Sequence, residues 1–165
     1  MKYLRAIVSW PIVVWTCYIF LASLPYKFTG HPETQHIFGT IGQWLGGFLG
    51  ESAGTLFTQY GAYVIGGFEL LVAFVLLLPI VLWVLSKLTR SFFGVTRRRF
   101  HMIGGLMASA VMSGAVFFHL VSPLGIEVND DGGSLFYAAA SILILGLVLF
   151  LINQGWSDEE RYSQV

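Results

Sequence analysis

The chain has 165 residues, of which 56% are hydrophobic, 16% aromatic and only 11% charged; nine basic and nine acidic side chains leave zero net charge. Soluble domains carry about a quarter charged residues, so these proportions exclude an ordinary soluble domain and indicate an integral membrane protein. The absence of net positive charge argues against nucleic acid as a partner, and a single cysteine, Cys17, excludes an intramolecular disulfide or a cysteine-based metal cluster.

The length suits one membrane domain, 1–165, with four apolar stretches able to cross ~30 Å of hydrocarbon at about 1.5 Å per residue. The first, 6–25, follows Lys2 and Arg5 as a signal peptide would. Its apolar run exceeds the usual ~7–15 residues and no clean small-x-small cleavage site follows, so it reads as a retained first helix.

The long connection that follows is not a plain loop. Ile37, Phe38, Ile41, Trp44, Leu45, Phe48 and Leu49 fall three and four apart, a helical stripe over about 33–50. Glycines at 39, 42, 46, 47 and 50 weaken it as a free helix but permit close approach to a neighbour. The expectation is a short amphipathic helix that lies at the outer interface or dips into the bundle. Its polar face lacks the Lys and Arg of a pure lipid-surface anchor.

The second span, 62–86, contains one charge, Glu69, and one proline, Pro79, expected to bend it. Lys87, Arg90, Arg97, Arg98 and Arg99 lie between it and the third span, 100–122. There Gly105, Ser109 and Ser113 recur at four-residue intervals, a spacing that lets helix backbones approach. The fourth span, 135–152, offers Ala138, Ala140, Ser141 and Gly146 likewise. These read as packing faces within the chain, with a homodimer seam as the alternative.

Basic residues flank only one side of the spans. The outer connections hold Lys27 alone, together with acidic Glu127, Asp130 and Asp131. By the positive-inside rule both termini and the Arg-rich loop are cytoplasmic. The Arg97–Arg99 triplet reads as a topology signal rather than a lipid-binding cluster, which usually takes about 4–8 cations. The acidic run 158–160 before Arg161 reads as a solvated end.

Glu69 is the most informative residue. A carboxylate inside hydrocarbon costs roughly 2.5–3.5 kcal/mol on insertion scales and persists when paired, protonated or lining a polar cavity. The expected topology brings Lys27, His31 and His119 to the same membrane half, with Tyr63 and Trp44 nearby. Three readings stay open. Glu69 pairs with Lys27 or His119 and fixes three helices together. Alternatively, Glu69 and His119 floor a ligand pocket walled by Tyr63, Trp44 and Phe118, or they support proton- or electron-coupled chemistry. His31 and His36 are five apart, wrong for one helical face, so no metal site is expected. No catalytic triad order, phosphate loop or metalloprotease helix is present, which favours a non-catalytic protein.

Three motifs follow one another in a telling order. The first helix ends in Pro25-Tyr26-Lys27-Phe28-Thr29-Gly30, the second contains Gly66-Gly67-Phe68-Glu69-Leu70-Leu71, and the third contains Gly114-Ala115-Val116-Phe117-Phe118-His119-Leu120. Over nearly the whole chain this order resembles the DoxX-like superfamily of small four-helix membrane proteins. Lys27, Glu69 and His119 fill the places of that family's lysine, glutamate and histidine. The resemblance implies a four-helix bundle but no single activity. The short connections and the acidic outer loop 125–133 look bacterial in style, so a bacterial inner membrane is the expected location. Some relatives are subunits of quinone-linked sulfur oxidation; others resemble the animal chaperone for nicotinic acetylcholine receptor assembly. The function expected from residues and resemblance together is binding, of other membrane proteins or of a small apolar ligand such as lipid or quinone at the outer leaflet. The alternative is a membrane subunit of a quinone-linked oxidoreductase. No dedicated cofactor is expected.

Overall fold

A computed structural model describes residues 2–89 and 97–154. Arg90, the acidic run 158–160 and Arg161 lie outside the described residues, and nothing structural is assigned to them. The described residues fold as α1 (Lys2–Phe28), α2 (Pro32–Leu49), α3 (Glu51–Thr89), α4 (Arg97–Val121) and α5 (Ser134–Ile152), with no strand among them. All but α2 contain a stretch long and apolar enough to cross a membrane. The protein is therefore an all-α, multi-pass bundle with four candidate spans.

The spans close a ring in the order α1, α3, α4, α5. Cys17 of α1 meets the Ala73 carbonyl of α3, and Gly104 of α4 faces Leu76 of α3. Ser109 of α4 donates a 2.8 Å hydrogen bond to the Leu143 carbonyl of α5, and Trp15 of α1 donates one of 3.0 Å to Ser141 of α5. At the centre Val13, Phe20, Val72, Leu76, Ile142 and Leu149 are fully buried. Around the perimeter Val14, Phe68, Phe74, Ile144 and Leu151 stay exposed. An apolar rim around an apolar core is what lipid on the outside requires, since backbone polar groups are already satisfied within each helix.

The small residues of α4 and α5 meet each other. A Cβ added at Gly105 would lie 2.7 Å from the Gly146 carbonyl and 3.0 Å from Leu149 Cβ. Two antiparallel backbones approach here as only glycine allows, so this stripe is an internal seam.

The largest departure from the sequence reading is α3. It does not begin near residue 62 but at Glu51, and its 39 residues span roughly 58 Å, about twice the hydrocarbon thickness. Gly50, at φ 91°, ends α2 in a conformation that other residues resist, and Glu51 then starts α3 with a carboxylate at the positive end of its dipole. Helix α2 runs antiparallel along the first three turns of α3. Its Phe38 covers Gly61, while Gly42 and Gly46 sit against Gly54. The short helix was expected at the interface or dipping into the bundle. It is α2, and it forms a tight hairpin with α3 beyond the end of α1.

That hairpin has its own small core. Ile41 of α2 is buried with Leu124 and Val128 of the α4–α5 connection, flanked by Ile37, Leu45, Phe57 and Phe118. The connection is held by Asp131, whose carboxylate accepts backbone N–H bonds from Val128, Gly133 and Leu135 and a hydroxyl bond from Ser134. Partial burial alone would raise its pKa; these four donors outweigh that and hold it below the usual carboxylate range.

Candidate functional site

The polar centre of the bundle is built from α1 and α3. Ser23 and Lys27 are one helical turn apart, so both project from the same face of α1. On α3 the positions facing α1 are Gly66, Glu69 and Ala73, again at spacings of three and four. Gly66 makes the room. A Cβ there would lie 3.4 Å from Lys27 Cδ and 3.2 Å from the Phe28 ring. The lysine stem therefore lies across the glycine and delivers its ammonium to the carboxylate one turn further in.

Lys27 Nζ donates to Glu69 Oε2 at 2.7 Å, and Ser23 Oγ lies 2.7 Å from the same oxygen. Lys27 Nζ also donates to Ser23 Oγ at 2.8 Å, closing a three-membered polar ring. The single hydroxyl proton of Ser23 serves either Glu69 or the Phe20 carbonyl, also 2.7 Å away. Glu69 is 3% exposed. The lysine side chain is 15% exposed, so the pair is shielded from solvent without being sealed. Short, charge-assisted bonds of this kind are roughly twice as strong as neutral ones, and removing either partner strands the other charge in a poorly polar setting.

Of the two candidate partners for Glu69, the structure selects Lys27. His119 is buried at the far side of α4, where its Nδ1 lies 2.7 Å from the Gly125 carbonyl and its ring meets Phe136 edge-on at 5.7 Å. It ties α4 to the α4–α5 connection and to α5. No polar contact joins His119 to Glu69 among the described residues. His31 caps the start of α2. Its Nδ1 accepts the Glu33 N–H at 3.4 Å, and its ring meets Tyr26 edge-on at 4.9 Å. Tyr63 stays half exposed beside Phe28, with ring centroids 6.3 Å apart.

Trp44 belongs to a different group. Its ring meets Phe48, Phe117 and Phe118 edge-on at centroid distances of 4.9, 6.5 and 6.3 Å, and Phe118 continues to Phe57 at 5.6 Å. The six residues expected to share one site thus divide. Lys27 and Glu69 join; Trp44 leads an aromatic cluster under the α2–α3 hairpin; His119, His31 and Tyr63 take separate local partners. Among the described residues no three His, Cys, Asp or Glu side chains converge as a metal site requires.

Ser23 was missed in the sequence, although a serine one helical turn before Lys27 is a legible signal. A second polar group was missed entirely. At the other end of the bundle Ser9, His101 and Asn153 are all buried, between α1, α4 and α5.

No family model, curated protein or solved structure matches this chain.

Proposed function

We propose that this chain is a non-catalytic, DoxX-like protein of the bacterial inner membrane, with both termini cytoplasmic, that docks another membrane protein through its outer hairpin. One observation carries the reading. The α2–α3 hairpin leaves Phe48, Leu49, Leu56 and Tyr60 exposed around its tip and along α3, without a charged side chain other than Glu51 between Thr34 and Gly61. Contiguous apolar surface on a projecting element is what a partner surface needs. The groups that could do chemistry nearby are meanwhile engaged in structure: Glu69 by Lys27 and Ser23, His119 by the Gly125 carbonyl.

A photo-crosslinker at position 48, in native membranes, tests this. A discrete protein adduct at 48, absent from a crosslinker at the perimeter position 144 and abolished by Leu56→Asp, supports docking. Lipid adducts alone at both positions would overturn it.

The aromatic cluster around Trp44 favours a second reading, in which a flat apolar molecule such as a quinone stacks at the outer end and the chain serves a quinone-linked oxidoreductase. Edge-to-face rings are a suitable lining for such a molecule. Mass spectrometry of apolar molecules retained by the purified protein decides between them. Stoichiometric quinone, lost in Trp44→Ala, would favour this second reading.

A further inference from the structure

The inner end of the bundle carries two buried polar atoms that lack a hydrogen-bond partner among the described residues, His101 Nε2 and Asn153 Oδ1. His101 is 0% exposed and Asn153 2% exposed, so neither atom is satisfied by bulk water. Buried polar groups are almost always bonded, and an orphan points to an unseen water or ion.

Helix register places the two residues at one level of the α4–α5 seam. Gly105 lies against Leu149 and the Phe150 N–H, and the helices are antiparallel. One turn further in on each helix brings residue 101 opposite residue 153. Arg98 marks the same level by donating through Nε to the Asn153 carbonyl at 2.9 Å. From α1, Ser9 Oγ accepts a 3.1 Å bond from Asn153 Nδ2, and the next residue, Trp10, meets the His101 ring edge-on at 4.7 Å.

Their chemistry is complementary. His101 Nδ1 lies 3.4 Å from Arg97 Nη1, and a guanidinium has donors only, so Nδ1 accepts and Nε2 carries the proton. Asn153 Nδ2 donates to the Leu149 carbonyl at 2.9 Å, which fixes the amide with Oδ1 as the free acceptor. One orphan is therefore a donor and the other an acceptor, on adjacent helices at one level, without a direct bond between them.

We propose that a single buried water bridges His101 Nε2–H and Asn153 Oδ1, accepting from the first and donating to the second. Ser9 supplies the third contact, because its hydroxyl proton is not otherwise engaged among the described bonds. Three polar partners fall within the two to four that a buried water takes. This water joins α1, α4 and α5 at the inner end, as Lys27–Glu69 joins α1 to α3 at the outer end.

NMR of the full chain in lipid nanodiscs, with ¹⁵N-labelled histidine, provides the test. The expected result is a neutral His101 in the Nε2–H form, with a cross-peak from that proton to water. An Nδ1–H form, or an Nε2 proton without a water cross-peak, would overturn the proposal. An experimental density map gives an independent check without any substitution. A peak within hydrogen-bond distance of both atoms is expected, whereas a direct bond from Nε2 to a protein acceptor would refute it.

Discussion

At the scale of single residues, the buried polar groups sort by whether they are satisfied. Thr16 sits at the bundle centre, 1% exposed, and its hydroxyl has no partner among the described residues. Replacing an unpaired buried hydroxyl by an isosteric methyl removes a desolvation penalty of about 1–3 kcal/mol. Thr16→Val is therefore expected to raise the melting temperature in detergent; a lower one would reveal a partner for this hydroxyl. Asp131 is the opposite case, a carboxylate surrounded by donors. Its folded pKa lies below the unfolded value of about 3.9, so its contribution is fully present above that pH and is lost as pH falls through the lower folded value. Hydrogen exchange of the Val128, Gly133 and Leu135 amides is expected to stay slow down to about pH 4 and to accelerate below it. In Asp131→Ala the same amides should exchange fast at every pH.

At the scale of elements, glycine contacts decide how helices approach. A Cβ at Gly54 would lie 2.5 Å from the Gly42 carbonyl and 2.8 Å from Gly46 Cα, both backbone atoms that cannot swing aside. Gly54→Ala is expected to destabilise the hairpin by roughly 1–3 kcal/mol, the usual penalty for overpacking, and to make the turn at Gly50 protease-sensitive while the spans remain protected. Much of this was legible in the letters. The stripe from Ile37 to Leu49 pointed to a helix over about 33–50, and α2 covers Pro32–Leu49; spacing at Gly105 and Ser109 marked a packing face. What the letters hid was the first third of α3. Segment 51–61 contains two glycines and mixed polarity, so its periodicity is weak; it is helical because α2 covers it. Likewise the choice of Lys27 over His119 depends on which face of α4 turns inward. His119 sits at the far side of α4, with the α4–α5 connection, and that is a property of packing rather than of spacing.

At the scale of the whole molecule, the bundle is joined by polar contacts at both ends and between them by apolar packing, with the Trp15–Ser141 and Ser109–Leu143 bonds inside it. At the inner end Arg98 donates to the Asn153 and Gln154 carbonyls just past the end of α5, which places a cation at the negative end of its dipole. The proposed topology, with both termini cytoplasmic, puts that end on the cytoplasmic side. Single cysteines at Thr40 and Ser134, introduced with Cys17 replaced by alanine, are expected to react with an impermeant maleimide added from outside intact cells. Cysteines at Thr96 and Ser163, both outside the described residues, should react only after the membrane is opened. Labelling of position 96 from outside would reverse the topology.

The central claim is that Lys27 and Glu69 hold α1 to α3 rather than carry out chemistry, and a double-mutant cycle on melting temperature in detergent tests it most directly. Glu69→Leu and Lys27→Met each strand one charge, an effect of about 3 kcal/mol, or roughly 10 °C for a chain of this size. Glu69→Gln, which retains a hydrogen-bonding group for Ser23, should lose less. In Lys27→Met/Glu69→Leu neither charge remains, so most of the loss should be recovered and the two effects should be strongly non-additive. Single variants that melt with the parent, or a double variant whose loss equals the sum of the two, would contradict the account.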